Sequence, residues 1–241
     1  MRSRTRWWRL VGSGLLVGSA LAYASDPGFM HSAWDALIQQ GYGVNVSFRL
    51  VPALAAALVV ADAGGVFNRG RFGVSVSAMG GRWGVWRRFW IEVAVGTILL
   101  ELAAFLGSFI GGGLISGQWS GLSANIELDS LGWEPTVAVP VLALWSTAVT
   151  TALVTSTASV GMALRSRLAA VALPAVVGLA ISTVPELRLG PVLDWRDKAG
   201  VFGPPTTTWV DAVAGLALLC LVAVLAVWHI AIRQTWRRPW A

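Results

Sequence analysis

The chain carries a single lysine, Lys198, among its 241 residues, with one cysteine, Cys220, and two histidines, His31 and His229. Each scarcity excludes something. A Walker A loop needs a lysine to reach the nucleotide phosphates. Lys198 stands between Asp197 and Ala199, outside any such motif, so the chain is expected not to hydrolyse ATP itself. One cysteine leaves no intrachain disulfide. Two histidines and one cysteine cannot complete a four-ligand nitrogen–sulfur zinc site. There is no G-x-S-x-G elbow and no H-E-x-x-H pair, so neither a hydrolase nor a metalloenzyme is expected, and no catalytic residue, metal or cofactor is assigned to this chain. Charge is scarce too: 12% of residues are ionised, about half the roughly 25% of soluble domains.

What fills the chain is apolar. The hydrophobic fraction is 56%, with 14 Trp and 27 Gly, and the mean hydropathy is +0.67. That excludes a soluble globular domain and a disordered chain. A helix crosses the hydrocarbon core with about 20 apolar residues. Six segments qualify: 10–24, 50–66, 89–113, 136–161, 168–184 and 208–231. Strands are excluded because the runs are long and do not alternate in polarity. The expected fold is an all-α membrane protein, a single transmembrane domain over 1–241 with six spans and short interfacial helices. Pro52 falls near the start of the second span, where its missing N–H has no intrahelical partner.

The arginines set the orientation. The N-terminus, residues 67–88, residues 162–167 and the C-terminal tail together hold fourteen of the eighteen basic residues. Positive loops stay inside, so both termini are expected in the cytoplasm of a multi-pass protein of the cell membrane. The outer segments are then 25–48, 114–135 and 185–207, and they carry Asp26, Asp35, Glu127, Asp129, Glu134, Glu186, Asp194 and Asp197. Thirteen of the tryptophans fall at or beyond span ends, as headgroup-seeking rings do. In the first outer segment, Phe29, Met30, Ala33, Trp34, Leu37 and Ile38 have helical spacing, which predicts a short amphipathic helix on the outer surface. A rival reading takes Ala22-Tyr23-Ala24 as a signal-peptide cleavage site; retention is the preferred expectation, and cleavage would leave five spans. Arginine in place of lysine, with Ala, Val and Gly richness, is the composition of a GC-rich bacterium. No internal or inverted repeat is visible, which argues against many secondary transporters.

Ionisable groups inside the bilayer are expensive and functional by default. Glu101 lies about 18 Å along the third span, near mid-membrane. A charged acid there costs about 2.5–3.5 kcal/mol, so protonation, a hydrated cavity or a partner is expected, and Arg49 is the one basic side chain placed to reach it. Helix-holding and path-lining are both open roles. In the fourth span Thr147, Thr151, Thr155 and Ser159 repeat every four residues and form one stripe, broadened by Ser146, Thr150, Ser156 and Thr157. The stripe suits helix packing or a hydrated substrate path. Asp62, Glu92, Arg71, Arg87 and Arg88 suit an interfacial salt-bridge cluster. Gly14/Gly18 and Gly107/Gly111 each form a small-x-x-x-small surface for close packing or dimerisation.

The most specific stretch is the first inner loop, VFNRGRFGVSVSAMGGRWGVWRRFW over 66–90. Phe72, Val76 and Met79 can share one helix face there. A basic interfacial helix on anionic lipid is one account. With six spans, both ends inside, a sizeable first inner loop, a very short second one and a proline-broken outer segment before the sixth span, the chain also resembles the type-2 ABC-transporter permeases of the exporter class. That family's loop reads roughly as acid-Arg-x-Gly-Thr, a short apolar run, Pro-small-Arg, then a base entering the third span. Here Arg71-Phe72-Gly73 matches the Arg…Gly element, Val74–Met79 the apolar run, Gly80-Gly81-Arg82-Trp83 the Pro-small-Arg element, and Arg87/Arg88 the final base; Gly70 stands in place of the acid and Gly80 in place of the proline.

The resemblance implies a coupling helix that includes Arg71, Phe72, Gly73, Val76, Met79, Gly80, Arg82 and Arg88 and docks on a separate ATP-binding subunit. ATP and magnesium would sit on that partner, and two permeases, identical or related, would form the path. It implies export of an amphipathic compound, peptide, drug, lipid or glycan. The competing readings are an ion- or proton-coupled carrier or channel using Glu101, and a structural subunit of a membrane complex. No nucleic acid is expected as a partner.

Overall fold

The computed structural model describes residues 2–24, 32–42, 51–67, 72–120, 135–164 and 166–183, with Ala217, Cys220, Leu221, Val224, Leu225 and Trp228 from the segment that follows. Every element among the described residues is helical. The helices are α1 (Arg2–Ala24), α2 (Ala33–Tyr42), α3 (residues 51–67), α4 (Phe72–Ala78), α5 (Arg82–Ser116), α6 (Pro135–Ala163) and α7 (Arg167–Thr183). The six residues described after α7 are also helical and exposed. Arg49, Arg71, His31, His229 and residues 121–134 and 185–207 lie outside the described residues.

α5 is the mast of the molecule. At about 1.5 Å per residue its 35 residues reach about 52 Å. Among the described residues it is the one helix long and apolar enough to cross a membrane; Val51–Ala63 and Arg167–Ala180 are apolar but shorter. Its inward faces are buried. Its outward face turns Ile91, Val95, Ile98, Leu102, Leu106 and Ile110 away from the protein at every third or fourth position. A free stripe of Ile, Val and Leu on a helix this long is weak evidence for a membrane location.

α5 is longer than its apolar run. The sequence places its start at 89, because Arg82, Arg87 and Arg88 look like loop residues. The helix instead starts at Arg82: the arginines project outward, while Val85, Trp86 and Phe89 turn into the core. Trp86 therefore sits inside the protein and not at an interface, its ring 4.8 Å from that of Phe67 and 5.9 Å from that of Phe89. At the far end, Gly117 takes a left-handed φ of 69° and its N–H closes on the Gly113 carbonyl, a glycine C-cap.

α1 lies along α5 with almost no side chain between the two backbones. A Cβ on Gly14 would sit 2.6 Å from the Leu100 carbonyl oxygen, one on Gly18 would strike the Ala104 carbonyl, and one on Gly107 would strike that of Leu15. The two glycine pairs read from the sequence thus pack on each other within one chain. Two serines lock the register: Ser108 Oγ donates to the Gly18 carbonyl at 2.9 Å, and Ser19 Oγ donates to that of Gly107 at 3.1 Å. α2 forms where the residue spacing predicts a short helix. It packs against the end of α5, with Ala36 against Gly112 and the Trp34 and Phe109 rings edge-to-face at 5.4 Å, so that Asp35 is buried.

α3 contains a single π turn, Ala56–Val60, that sets Val59 against Gly96 of α5. α6 and α7 form a tight hairpin: Ser166 Oγ accepts from the Ala169 N–H at 3.1 Å, and Gly161 admits the Ala170 backbone. Arg167 Nη2 donates to the Ala61 carbonyl at 3.1 Å, tying α7 to the end of α3. The core, drawn from α1, α3, α5, α6 and α7, includes Leu10, Val59, Trp86, Val93, Val154 and Met162.

The Gly18→Val variant forces a branched side chain into the Ala104 carbonyl, and overpacking of this kind costs about 1–3 kcal/mol. It should lower the melting temperature of the purified protein clearly. Gly12→Val should leave it nearly unchanged, because a Cβ there meets nothing within 4 Å.

Candidate functional site

Two places gather the residues that the sequence singles out. The first is the corner between α4 and α5. The seven-residue α4 ends in a Schellman-type turn: Gly80 has φ 70°, and the Gly81 N–H reaches back to the Val76 carbonyl at 2.9 Å. Gly81 itself has φ 117°, and Gly84 leaves room for the Met79 carbonyl to pass against α5. Three glycines therefore fold α4 back sharply against the start of α5, in a geometry that side chains would obstruct.

Within the corner, Val76 and Met79 pack on the core, whereas Val74 is 72% exposed and Ser77, Ala78, Arg82 and Trp83 also face outward. Phe72 and Gly73 lie on α4, and Arg71 falls outside the described residues. A partner approaching this corner would meet Val74, Ser77, Ala78 and Trp83 rather than Val76 and Met79. Arg88 is on α5, its Nε 2.8 Å from Glu92 Oε1, a pair drawn from the suggested salt-bridge cluster.

The second place is the seam between α5 and α6. Glu101 is 1% exposed. Its Oε1 accepts from Ser146 Oγ at 3.3 Å, and Thr150 faces the same carboxyl. Its Oε2 has no hydrogen-bond partner among the described residues; neither have the buried hydroxyls of Thr97, Thr150, Thr151 and Thr155. The repeat Thr147-Thr151-Thr155-Ser159 is present on α6, but Glu101 is met by its flank, Ser146 and Thr150, instead. Thr147 turns its hydroxyl onto the Ala143 carbonyl at 2.8 Å, the usual way a helix absorbs a threonine. Ser159 donates to the Thr155 carbonyl and accepts from Trp90 Nε1 at 2.9 Å, which joins α6 to α5.

Thr97, one turn before Glu101 on the same face of α5, was not flagged by the sequence. Its signal is the i, i+4 spacing to Glu101. Below this level a groove of about 280 Å³ is lined by Trp90, Ile91, Ala94, Ala152, Thr155 and Ser156 together with Cys220 and Val224. The seam thus holds a carboxyl, the hydroxyls of Thr97, Ser146, Thr150, Thr151 and Thr155, and an apolar groove. It can bind a proton, a small cation or water.

Trp90→Phe and Ser159→Ala should each cost about 1 kcal/mol, and the double variant should cost little more than either, because both delete the same hydrogen bond. Thermal unfolding of the four proteins in one detergent checks the coupling. No family model, curated protein or solved structure matches this chain.

Proposed function

We propose that the chain is the transmembrane permease subunit of an ATP-driven exporter, with six crossings and both termini in the cytoplasm, powered by a separate ATPase that docks on α4. The observation that carries this reading is the α4–α5 corner. A seven-residue helix, pinned by Val76 and Met79 and turned by Gly80 and Gly81, presents Val74 outward at the base of the long helix α5. A short, firmly seated helix at the end of a crossing is what a push from a soluble engine requires. Movement of α4 passes to α5 because Gly84 lets the corner pack backbone to backbone.

The arginine distribution supports placing this corner on the cytoplasmic side. The single lysine outside any phosphate-binding loop supports an external source of ATP hydrolysis, with nucleotide and magnesium on the partner. The outward Ile, Val and Leu stripe of α5 supports a lipid surround, and the proposed location is a bacterial inner membrane. Two permease copies, or this chain with a related one, would enclose the path. The substrate class follows the resemblance: amphipathic compounds, peptides, drugs or lipids moved outward.

Co-expression with the ATPase encoded nearest to it, followed by affinity capture, tests the reading. The native chain should retain the ATPase, and replacement of residues 73–82 by a Gly/Ser linker should abolish capture and transport while the protein still inserts. Capture and transport that survive the replacement would remove the proposal.

A further inference from the structure

The Glu101 carboxyl faces no cation among the described residues. From α1 the residues against this stretch of α5 are Gly14, Leu15, Gly18 and Ser19; from α6 they are Ser146 and Thr150; from α3, Val59 lies against Gly96. None of these is titratable. Along α5 the nearest charged side chain is Glu92, nine residues away and paired with Arg88. Asp35 on α2 sits with the helix that packs on Gly112, eleven residues the other way. Cys220 lines the groove at Trp90 and Ala94, about two turns from Glu101.

Five buried polar atoms lack a partner among the described residues, and all belong to α5 and α6: Glu101 Oε2 and the hydroxyls of Thr97, Thr150, Thr151 and Thr155. Buried polar atoms without partners are rare in native proteins, and a concentration of them marks an occupant. That occupant has to be small, because Glu101 is enclosed and does not line the groove. It has to bring one positive charge, because no described residue balances the negative charge of the carboxyl. A metal ion would need several oxygens drawn around it, whereas among the described residues Ser146 Oγ is the hydrogen-bond partner of the carboxyl and Thr150 its other near hydroxyl. A proton meets every condition.

We propose that Glu101 is an intramembrane proton-binding site, its enclosed carboxyl held beside Ser146 and Thr150 in the seam between α5 and α6. Uptake forms one O–H bond on Oε2 and removes one negative charge. Release breaks that bond and restores the carboxylate. The proposal goes beyond the permease reading and holds whether or not α4 docks an ATPase.

Infrared spectroscopy of the full chain in phosphatidylethanolamine–phosphatidylglycerol nanodiscs tests it. The native protein should show the C=O band of a protonated carboxylic acid that Glu101→Gln removes. The band should disappear reversibly as the buffer is made alkaline, and it should shift in D2O. Glutamine has the shape of the neutral acid, so the variant should fold; if it does not, Glu101→Asp keeps a carboxyl and should move the band. The absence of a Glu101-dependent acid band at any pH would overturn the site, as would a band that neither titrates nor exchanges.

Discussion

Everything else in the molecule is hung from the backbone contact between α1 and α5. Gly14 and Gly18 face Leu100, Ala103 and Ala104, while Gly107 and Gly111 face Leu15, Ser19 and Ala22. In a hydrocarbon surround there is no hydrophobic drive to bring two helices together, so close van der Waals contact and interhelical hydrogen bonds do the work. The glycines supply the first, and the reciprocal bonds of Ser19 and Ser108 supply the second. Because main chain meets main chain, the register has little freedom, and α5 is held as a rigid reference.

The two candidate sites use different parts of that reference. The Glu101 seam uses the side of α5 turned to α6, and the α4 corner uses its first turn. In the proposed exporter, a push at α4 travels up α5 as a rigid body and changes the fit between α5 and α6, where Glu101, Ser146 and Trp90–Ser159 make the polar contacts. Chemistry and drive would then share one helix although they lie about 20 residues, or about 30 Å, apart along it.

Much of this was legible in the residues. Long apolar runs without alternation announce helices, the spacing of the glycines announces close packing, and residues 162–167 announce a tight hairpin. Other features depend on what meets what. The Thr147–Ser159 repeat identifies a face of α6, but periodicity says nothing of the rotation of that face toward α5, so Ser146 and Thr150 meet the carboxyl instead. Arg82, Arg87 and Arg88 conceal the start of α5, since a helix that sheds its arginines outward while burying Val85, Trp86 and Phe89 looks like a basic loop when averaged over a window. The π turn in α3 and the burial of Asp35 have no sequence signature at all; both follow from tertiary contacts.

The central claim is that α5 carries the chain from the arginine-rich side of a membrane to the other. Single cysteines placed at Ser77 on α4 and at Ser120 beyond α5, in a Cys220→Ser background, report it directly, because all three positions are exposed. A membrane-impermeant maleimide should label Ser77→Cys only in inverted vesicles and Ser120→Cys only on intact cells. Labelling of both from the same side, or recovery of the protein in the soluble fraction, would contradict the account.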